Sequence, residues 1–294
     1  MAKQIDPVRK FAAQLQGSRS TMAVVTRTWT AGVDAGGTWL RIRATDDRGR
    51  RRSLRETAPA AGLLPAALAA LCRSWKLRRG NVAHLVVASR GVWTPAERSA
   101  AAVRLRGLAR RVTVISDAEA AYLGALGNHP GLLILAGTGS IILARDASGG
   151  WRRRGGLGPF FHDHGAAFNI GRRWLMCGAE ARARRYATSP DAVTRIAGLA
   201  PRVLRFAQRG HPEARRITRS ESSAIALDLV RLAKELGCPP PLRVSWAGRV
   251  MRNRYFREQV WRRARREGLR FIVKPPRMSA LEAAARLAAP RRAR

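Results

Sequence analysis

The chain has 294 residues, of which 46% are apolar, so it can bury the cores of two domains of ordinary size. Its formal charge is +37, and arginine supplies most of this because only five of the 56 basic residues are lysine. No apolar stretch approaches the ~20 residues of a membrane-spanning helix. Three isolated cysteines without a CxxC pair exclude a disulfide framework and any obvious zinc or iron–sulfur site.

The arginines are scattered along the chain and do not form one block. No zinc-finger spacing, aromatic signature of an RNA-recognition sheet or clear helix-turn-helix accompanies them. We therefore expect non-specific nucleic-acid binding at low salt, but no dedicated nucleic-acid function. The N-terminus lacks the apolar block of a secretory signal, so we expect a cytoplasmic protein that does not associate with membranes.

The first half of the chain begins with a predicted extension over residues 1–28, in which Met22 is an alternative start. A strand over Thr28–Val33 and a strand over Trp39–Ala44 then flank a turn of small residues, Asp34–Thr38. Helices and strands follow in alternation: a helix at Leu63–Trp75, a strand at Val82–Ala88, a helix at Pro95–Leu108, a strand at Val112–Ile115 and a helix at Ala118–Leu126.

The same plan restarts at Leu132, where a strand over Leu132–Leu135 and a strand over Ile141–Arg145 flank the turn Ala136–Ser140. The predicted elements after it are helices at Phe168–Leu175, Ala192–Leu199 and Ser222–Leu236, a strand at Arg243–Trp246, a basic helix at Tyr255–Arg266, a strand at Phe271–Val273 and a helix at Ser279–Ala288. Two strand–turn–strand units about 100 residues apart indicate an α/β duplication with a cleft between its halves. We expect domains at 29–128 and 129–277, with the terminal segment 278–294 packing on the first.

Both turns have the composition of phosphate-binding loops. Glycine lets backbone N–H groups approach phosphate oxygens closely, and hydroxyl groups add donors. The candidates are Gly36, Gly37 and Thr38 in the first turn, and Gly137, Thr138, Gly139 and Ser140 in the second. Each turn alone fits an ordinary hairpin equally well, and neither a P-loop nor a GxGxxG motif is present.

The order of the motifs is more specific than either turn. Asp34-Ala35-Gly36-Gly37-Thr38 is followed by Ser116-Asp117-Ala118, by Ala136–Ser140, by a segment from Gly155 to Arg173, and by Ala247-Gly248. This order resembles the N-acetylglucosamine kinase branch of the actin-like ATPase superfamily, to which benzoyl-CoA reductase ATPase subunits and 2-hydroxyacyl-CoA dehydratase activators also belong. The resemblance implies an α/β fold of two actin-like, ribonuclease H-like domains with a nucleotide cleft between them.

The resemblance also implies ATP and Mg²⁺ as cofactors and a role for each matching residue. Asp34 would hold the metal, the two turns would hold the phosphates, and Gly248 would lie against the adenosine. Asp117 would be the general base, and Ser116 and Asp163 would contact the acceptor. Asp117 has an alternative role as the cap of the helix that follows it.

Departures from the family pattern concentrate on the acceptor side, where Ser116, His164 and Ala166 replace other residues. The resemblance as a whole implies a homodimeric kinase that phosphorylates a hydroxyl of an amino sugar such as N-acetylglucosamine. Two alternatives stay open: an ATPase of the BadF/BadG type that drives a partner protein, and a non-catalytic nucleotide- or sugar-binding regulator. The pair His162 and His164 also allows a metal-binding interpretation.

Overall fold

The computed structural model describes residues 27–158, 161 and 163–290. The expected N-terminal extension, apart from its last two residues, and with it Met22, lies outside this range, as does His162. The chain forms two compact units: the described residues up to Ala120 together with those from Ala280 onward, and Ala121–Ser279. The boundary between the units falls inside the continuous helix Asp117–Leu126, whereas the sequence predicts it after residue 128.

The described strands are, in chain order, β1 (Trp29–Ala35), β2 (Trp39–Asp46), β3 (Arg51–Thr57), β4 (Val82–Ser89), β5 (Arg111–Ser116), β6 (Gly131–Ala136), β7 (Ser140–Arg145), β8 (Trp151–Gly155), β9 (Leu242–Ala247) and β10 (Phe271–Val273). The described α-helices are α1 (Leu64–Ser74), α2 (Pro95–Arg104), α3 (Asp117–Leu126), α4 (Ala167–Met176), α5 (Glu180–Ala187), α6 (Ala192–Ala197), α7 (Ala200–Gln208), α8 (Pro212–Leu236), α9 (Arg249–Arg252), α10 (Arg254–Arg266) and α11 (Ala280–Ala288).

Each unit contains one five-stranded mixed sheet, and the two sheets have the same topology. In the first, the order is β3-β2-β1-β4-β5, with antiparallel pairing from β3 to β1 and parallel pairing from β1 to β5. In the second, the order β8-β7-β6-β9-β10 repeats this arrangement of antiparallel and parallel pairs. The repeated topology confirms the predicted α/β duplication.

The first unit is built on a sheet whose central strands are apolar. β1 is buried at almost every position, and β2 alternates buried and partly exposed residues because one of its faces meets solvent. The C-terminal helix α11 packs on β1, where Gly32 has no side chain. A Cβ at Gly32 would lie 2.3 Å from the backbone nitrogen of Ala285, so helix and strand meet backbone to backbone.

The second unit has a larger helical layer. The long helix α8 packs against α7 and α10 and also contacts β7 and β8. Its core combines buried strand residues such as Leu132 and Ile134 with buried helix residues such as Ile217 and Trp261. None of the described helices combines the length and the apolar character needed to cross a membrane.

The sequence prediction missed elements that are rich in arginine. The edge strands β3 and β8 carry several partly or fully exposed arginines and show no apolar alternation. Helix α8 begins at Pro212, ten residues before the predicted start at Ser222. The prediction missed this first half because it is mostly polar. The predicted helix at Ala192–Leu199 ends at Ala197, and a separate helix begins at Ala200.

Candidate active site

Three parallel strands of the first unit end at the same level of the sheet. In the pairing register, Ala35 of β1 lies beside Ser89 of β4, and Ser89 lies beside Ser116 of β5. The residues that follow these ends are the first glycine-rich turn, Arg90 and Asp117. Ligands of α/β proteins bind at the carboxyl ends of parallel strands, so the topology gathers the candidate residues where chemistry is expected.

Asp34 is the next-to-last residue of β1, just before the first glycine-rich turn, and its side chain is buried. Arg41 lies directly opposite on β2, and its Nη1 donates a hydrogen bond of 3.0 Å to Oδ2 of Asp34. Burial raises the pKa of the Asp34 carboxyl above its ordinary value, while the charge and hydrogen bond of Arg41 lower it. The carboxylate is therefore held in place by the guanidinium of Arg41.

Asp117 is the first residue of α3 and is partly exposed. Desolvation and the neighbouring charge of Asp34 raise the pKa of its carboxyl to about 6, against the lowering effects of a hydrogen bond from the backbone of Ala118, the charge of Arg90 and a hydrogen bond from Ser116. A carboxyl with a pKa near the operating pH is suited to accept a proton, because it combines the ionised form with useful basicity. Asp34 and Asp117 are thus two neighbouring carboxyl groups in different environments, a pattern associated with functional sites.

Several side chains bind the free N–H groups at the start of helix α3. The hydroxyl of Ser116 accepts a hydrogen bond of 3.2 Å from the N–H of Ala118, and the Glu119 carboxylate accepts one of 3.1 Å from the N–H of Ser116. Ser116 is therefore an N-cap that accepts from the second residue of the helix, and Glu119 binds the backbone of Ser116 in return. Arg98 holds the same Glu119 through a contact of 2.5 Å. Asp117 shares this role, because its Oδ1 accepts a hydrogen bond of 2.9 Å from the same N–H of Ala118.

This arrangement changes the interpretation of Ser116. The sequence predicts that it contacts the acceptor, but its side chain is fully buried and its hydroxyl serves the helix terminus. A buried hydroxyl that already accepts a backbone hydrogen bond has no free surface for a ligand. We therefore assign Ser116 to the positioning of α3, and through α3 to the positioning of Asp117.

The first turn is open, and beside it lies the guanidinium of Arg90, which is not among the residues predicted from the sequence. Added Cβ atoms at Gly36 and Gly37 would meet nothing closer than 3.8 Å, and neither residue has a positive φ. The protein's own packing therefore does not require glycine at either position. Arg90 donates a hydrogen bond of 3.3 Å to the carbonyl of Gly37, so its exposed guanidinium lies beside the turn, and its charge lowers the pKa of Asp117. The position of Arg90 after a buried strand was the sequence signal that could have identified it.

The second turn joins β6 to β7 in the second unit. Gly137 donates to the carbonyl of Gly139 at 2.9 Å, and the carbonyls of Gly137 and Thr138 accept from the first residues of α4. A Cβ at Gly137 would meet no atom within 4 Å, so glycine is again not required by internal packing. Ser140 is buried, and its hydroxyl donates to the carbonyl of His164 at 2.7 Å. If the Ser140 hydroxyl donated to a phosphate, as the sequence predicts, it would have to give up its bond to His164.

Asp163 lies against this second turn. Its side chain is buried, and a Cβ at Gly139 would be 2.6 Å from its Oδ2, so the glycine makes room for the carboxylate. The carbonyl of Asp163 accepts a hydrogen bond of 2.7 Å from Asn169. The segment that follows is fixed by Glu221, which accepts from the N–H of Gly165 at 2.8 Å. A contact of Asp163 with an acceptor stays a prediction.

Gly248 follows β9 at the carboxyl edge of the second sheet, beside the end of β6. Its φ is +88°, and a Cβ would lie 2.2 Å from the carbonyl oxygen of Ala136. Both facts require glycine for internal reasons. The glycine therefore does not by itself indicate an adenosine site, and that role also stays a prediction.

The carboxylates of the first unit suit Mg²⁺ more than a transition metal. Within the described ranges, no group of three or more His, Cys, Asp and Glu residues can hold a metal ion, and His162 of the histidine pair lies outside those ranges. Mg²⁺ is commonly held by one or two carboxylates, with water and substrate phosphates completing its shell. The buried Asp34 beside Asp117 fits that pattern, because a cation would relieve the repulsion between the two carboxylates.

The comparisons with known proteins agree with this arrangement. Residues 31–285 match the model of the BadF/BadG/BcrA/BcrD ATPase family. The chain belongs to this family. The matched range includes both glycine-rich turns, Asp117, Asp163 and Gly248.

Individual relatives are more distant. An N-acetylmuramic acid/N-acetylglucosamine kinase of Clostridium acetobutylicum is 35% identical over 69 residues, which is 24% of this chain and 22% of that kinase. A provisionally assigned N-acetylglucosamine kinase of Chromobacterium violaceum has a TM-score of 0.70 at 22% identity, with 90% of this chain and 100% of the other covered. A ROK family glucokinase of Streptomyces griseus, solved with glucose and AMPPNP, has a TM-score of 0.56 at 19% identity, with 88% and 99% covered. These solved structures share the two-domain α/β fold of this chain.

Proposed function

We propose that this protein is an ATP-dependent kinase that transfers the γ-phosphate to a hydroxyl of an amino sugar related to N-acetylglucosamine. The observation that carries the proposal is Asp117, a carboxyl with its pKa raised to about 6 beside Asp34, at the carboxyl edge of three parallel strands. Membership of the ATPase family and the kinase-named relatives support it.

In the proposed reaction, the carboxylate of Asp117 accepts the proton of the attacking hydroxyl, and the hydroxyl oxygen forms the new bond to the γ-phosphorus. The bond from the γ-phosphorus to the β–γ bridging oxygen breaks, and ADP leaves with its electron pair. Asp117 is half-buried, so it reaches solvent while retaining a raised pKa. The hydrogen bonds of Ser116 and Glu119 hold the backbone at the start of α3, and the Asp117 carboxylate accepts from the N–H of Ala118. Positioning of this kind is a large part of catalysis by such enzymes.

The phosphates would be bound by backbone N–H groups of the two glycine-rich turns, where Gly36, Gly37 and Gly137 have no internal packing requirement. The N–H groups of Gly36 and Gly137 already donate within their hairpins, so the other N–H groups of the turns would be the donors. Asp34 would hold Mg²⁺ directly or through water, and the ion would neutralise phosphate charge. Arg41 fixes Asp34, and Arg90 adds a second positive charge near the first turn. The chain itself thus provides charge neutralisation at the place where phosphate charge would accumulate.

A second candidate is ATP hydrolysis coupled to a partner protein, within the same family. The observation that favours it is Ser116, because the residue predicted to contact an acceptor is buried and serves as a helix cap. In that reaction, Asp117 would orient and deprotonate water in place of a sugar hydroxyl.

The test is the release of ADP from Mg-ATP by the purified protein, with N-acetylglucosamine, N-acetylmuramic acid, glucosamine or glucose, and without an acceptor. Release that depends on one acceptor, together with a phosphorylated product in the mass spectrum, supports the kinase. Equal release with and without acceptor supports the coupled ATPase. Absence of nucleotide binding in calorimetry would rule out both.

A further inference from the structure

The second unit contains an arginine-lined depression that belongs to neither glycine-rich turn. Two adjoining cavities of about 580 and 430 Å³ lie along the first half of α8, and the smaller one also borders α10. The smaller cavity is lined by five arginines, which we call the arginine groove: Arg215, Arg219, Arg262, Arg263 and Arg266. Its residues are distinct from those that we assign to the phosphate-binding turns.

Helical periodicity explains why these residues share one surface. Arg215, Arg219 and Ser223 are spaced by four residues on α8, and Gln259, Arg263 and Arg266 are spaced by three or four on α10. The other faces of both helices are apolar and buried, as shown by Ile217 and Trp261. Packing of the two apolar faces into the core therefore brings the two arginine faces together along one groove.

The charge in the groove is not balanced by the protein. No aspartate or glutamate lines the smaller cavity. Arg263 is paired with Glu267 at 2.6 Å, but Arg219, Arg262 and Arg266 form no ion pair or side-chain hydrogen bond with the described residues. The same unit pairs arginine efficiently elsewhere, since Arg154 binds both Asp228 and Glu235.

Unpaired like charges on a concave surface repel one another and raise the local potential, so they attract anions from solution. Guanidinium groups bind phosphate oxygens in a two-pronged geometry that few other anions match as well. The hydroxyl of Ser223 lines the same cavity and is suited to bind phosphate oxygens, whereas that of Ser222 is buried and donates to the carbonyl of Arg219 at 3.1 Å.

The size and lining of the groove favour a small ligand over a nucleic-acid strand. A volume of about 430 Å³ lies within the range of small-molecule sites. A single-stranded nucleic acid is normally bound with its bases stacked on several aromatic residues. The cavity has one aromatic residue, Tyr255, and it is partly buried.

We propose that the arginine groove between α8 and α10 binds a small organic or inorganic anion that carries at least two phosphate groups. Such a ligand would neutralise the unpaired guanidinium groups and so stabilise the second unit. The site is independent of the proposed kinase reaction, because none of its residues belongs to the catalytic or phosphate-binding set.

The experiment uses the full chain, inorganic tripolyphosphate as the probe, and EDTA to remove divalent cations, at about 0.15 M salt so that diffuse attraction is screened. The readout is the midpoint of thermal unfolding as a function of probe concentration, because a ligand of the folded state raises it in a saturable way. The test variant is Arg219→Gln/Arg262→Gln. The control, Arg172→Gln/Arg185→Gln, removes two exposed helical arginines of the same unit that lie outside both cavities.

We expect saturable stabilisation of the wild type and the control by tripolyphosphate, at least ~10-fold weaker apparent affinity in the test variant, and little effect of orthophosphate. Without the probe, the test variant should unfold at the same or a higher temperature than the wild type, because repulsion in the groove is reduced. If the double variant does not fold, the single variant Arg266→Gln provides the same comparison.

Equal affinity of test and control variants would overturn the proposal, since tripolyphosphate would then bind elsewhere, for example at the glycine-rich turns. A response without saturation would also overturn it, because diffuse attraction would explain the effect. The third contrary result is a single-stranded oligonucleotide that binds more tightly than tripolyphosphate and loses its affinity in the test variant, which would make the groove a nucleic-acid site.

Discussion

The substitution Asp117→Asn separates the catalytic role of Asp117 from a structural one. The asparagine amide resembles the protonated acid in shape and keeps an oxygen that can accept from Ala118, where the wild-type hydrogen bond measures 2.9 Å. It cannot accept the proton of a substrate. If Asp117 is the general base, kcat should therefore fall by at least ~10²-fold while ATP affinity is retained.

The same substitution has a calculable effect on stability. The pKa of Asp117 rises from the ordinary value of 3.8 to about 6, so the folded state binds a proton more tightly than the unfolded state. The stabilising effect of that proton is complete below about pH 4 and is lost as the pH rises through about 6. At pH 7 the ionised carboxyl costs about 3 kcal/mol, an upper limit because the side chain still reaches solvent.

Asp117→Asn should thus raise the free energy of unfolding at pH 7 by up to about 3 kcal/mol and have almost no effect near pH 4. Denaturant unfolding of wild type and variant across this pH range measures the difference directly. The control is Glu180→Gln, which removes an exposed carboxylate from a surface pair with Arg184 and should change stability by only about 0.5 kcal/mol or less.

Two results would refute this reasoning. One is a variant that is less stable than the wild type at pH 7, which would mean that the charged form of Asp117 stabilises α3. The other is turnover within a few-fold of the wild type, which would remove Asp117 from the reaction. For the wild type, kcat/KM should rise with pH along an acid limb with a midpoint near 6.

Three further predictions follow from the same geometry. Arg90→Gln removes a charge that lowers the pKa of Asp117, so the acid limb of the pH–rate profile should move to higher pH; an unchanged midpoint would contradict this. Ser116→Ala should cost about 1 kcal/mol in unfolding experiments through loss of the N-cap, with the Michaelis constant of the acceptor unchanged; a raised constant at unchanged stability would restore Ser116 as a substrate residue. Gly32→Ala should destabilise the first unit by about 1–3 kcal/mol because its Cβ overlaps the backbone of Ala285, whereas Gly80→Ala, with no atom within 4 Å, should be nearly neutral in the same thermal melts.

Sequence reasoning was strongest where local patterns have a single structural meaning. The two turns of small residues between apolar strands identified both hairpins and the duplication, because glycine clusters and strand alternation are local signals. The position of Asp117 after a buried strand was equally local. The Ser116-Asp117-Ala118-Glu119 segment also carried the signature of a capping box, which would have assigned Ser116 to the helix terminus.

The arginine-rich elements were not predictable in the same way. Strands β3 and β8 and the first half of α8 have weak apolar periodicity, because much of their surface meets solvent. Their conformation depends on a neighbouring strand or helix that is distant in sequence, as with the pairing of β3 to β2. Periodicity detects burial, and elements with little burial escape it.

The sequence by itself determined the fold class, the order of the apolar strands and the two glycine-rich turns with which the proposed site begins. Only the tertiary structure decided what each residue does there. It showed that Gly248 is required by the carbonyl of Ala136, that Ser116 caps α3, and that Arg90 lies beside the first turn. The physical reason is that glycines and turns follow from local backbone conformation, whereas pKa values and unpaired charge depend on which distant residues the sheet register and helix packing bring together.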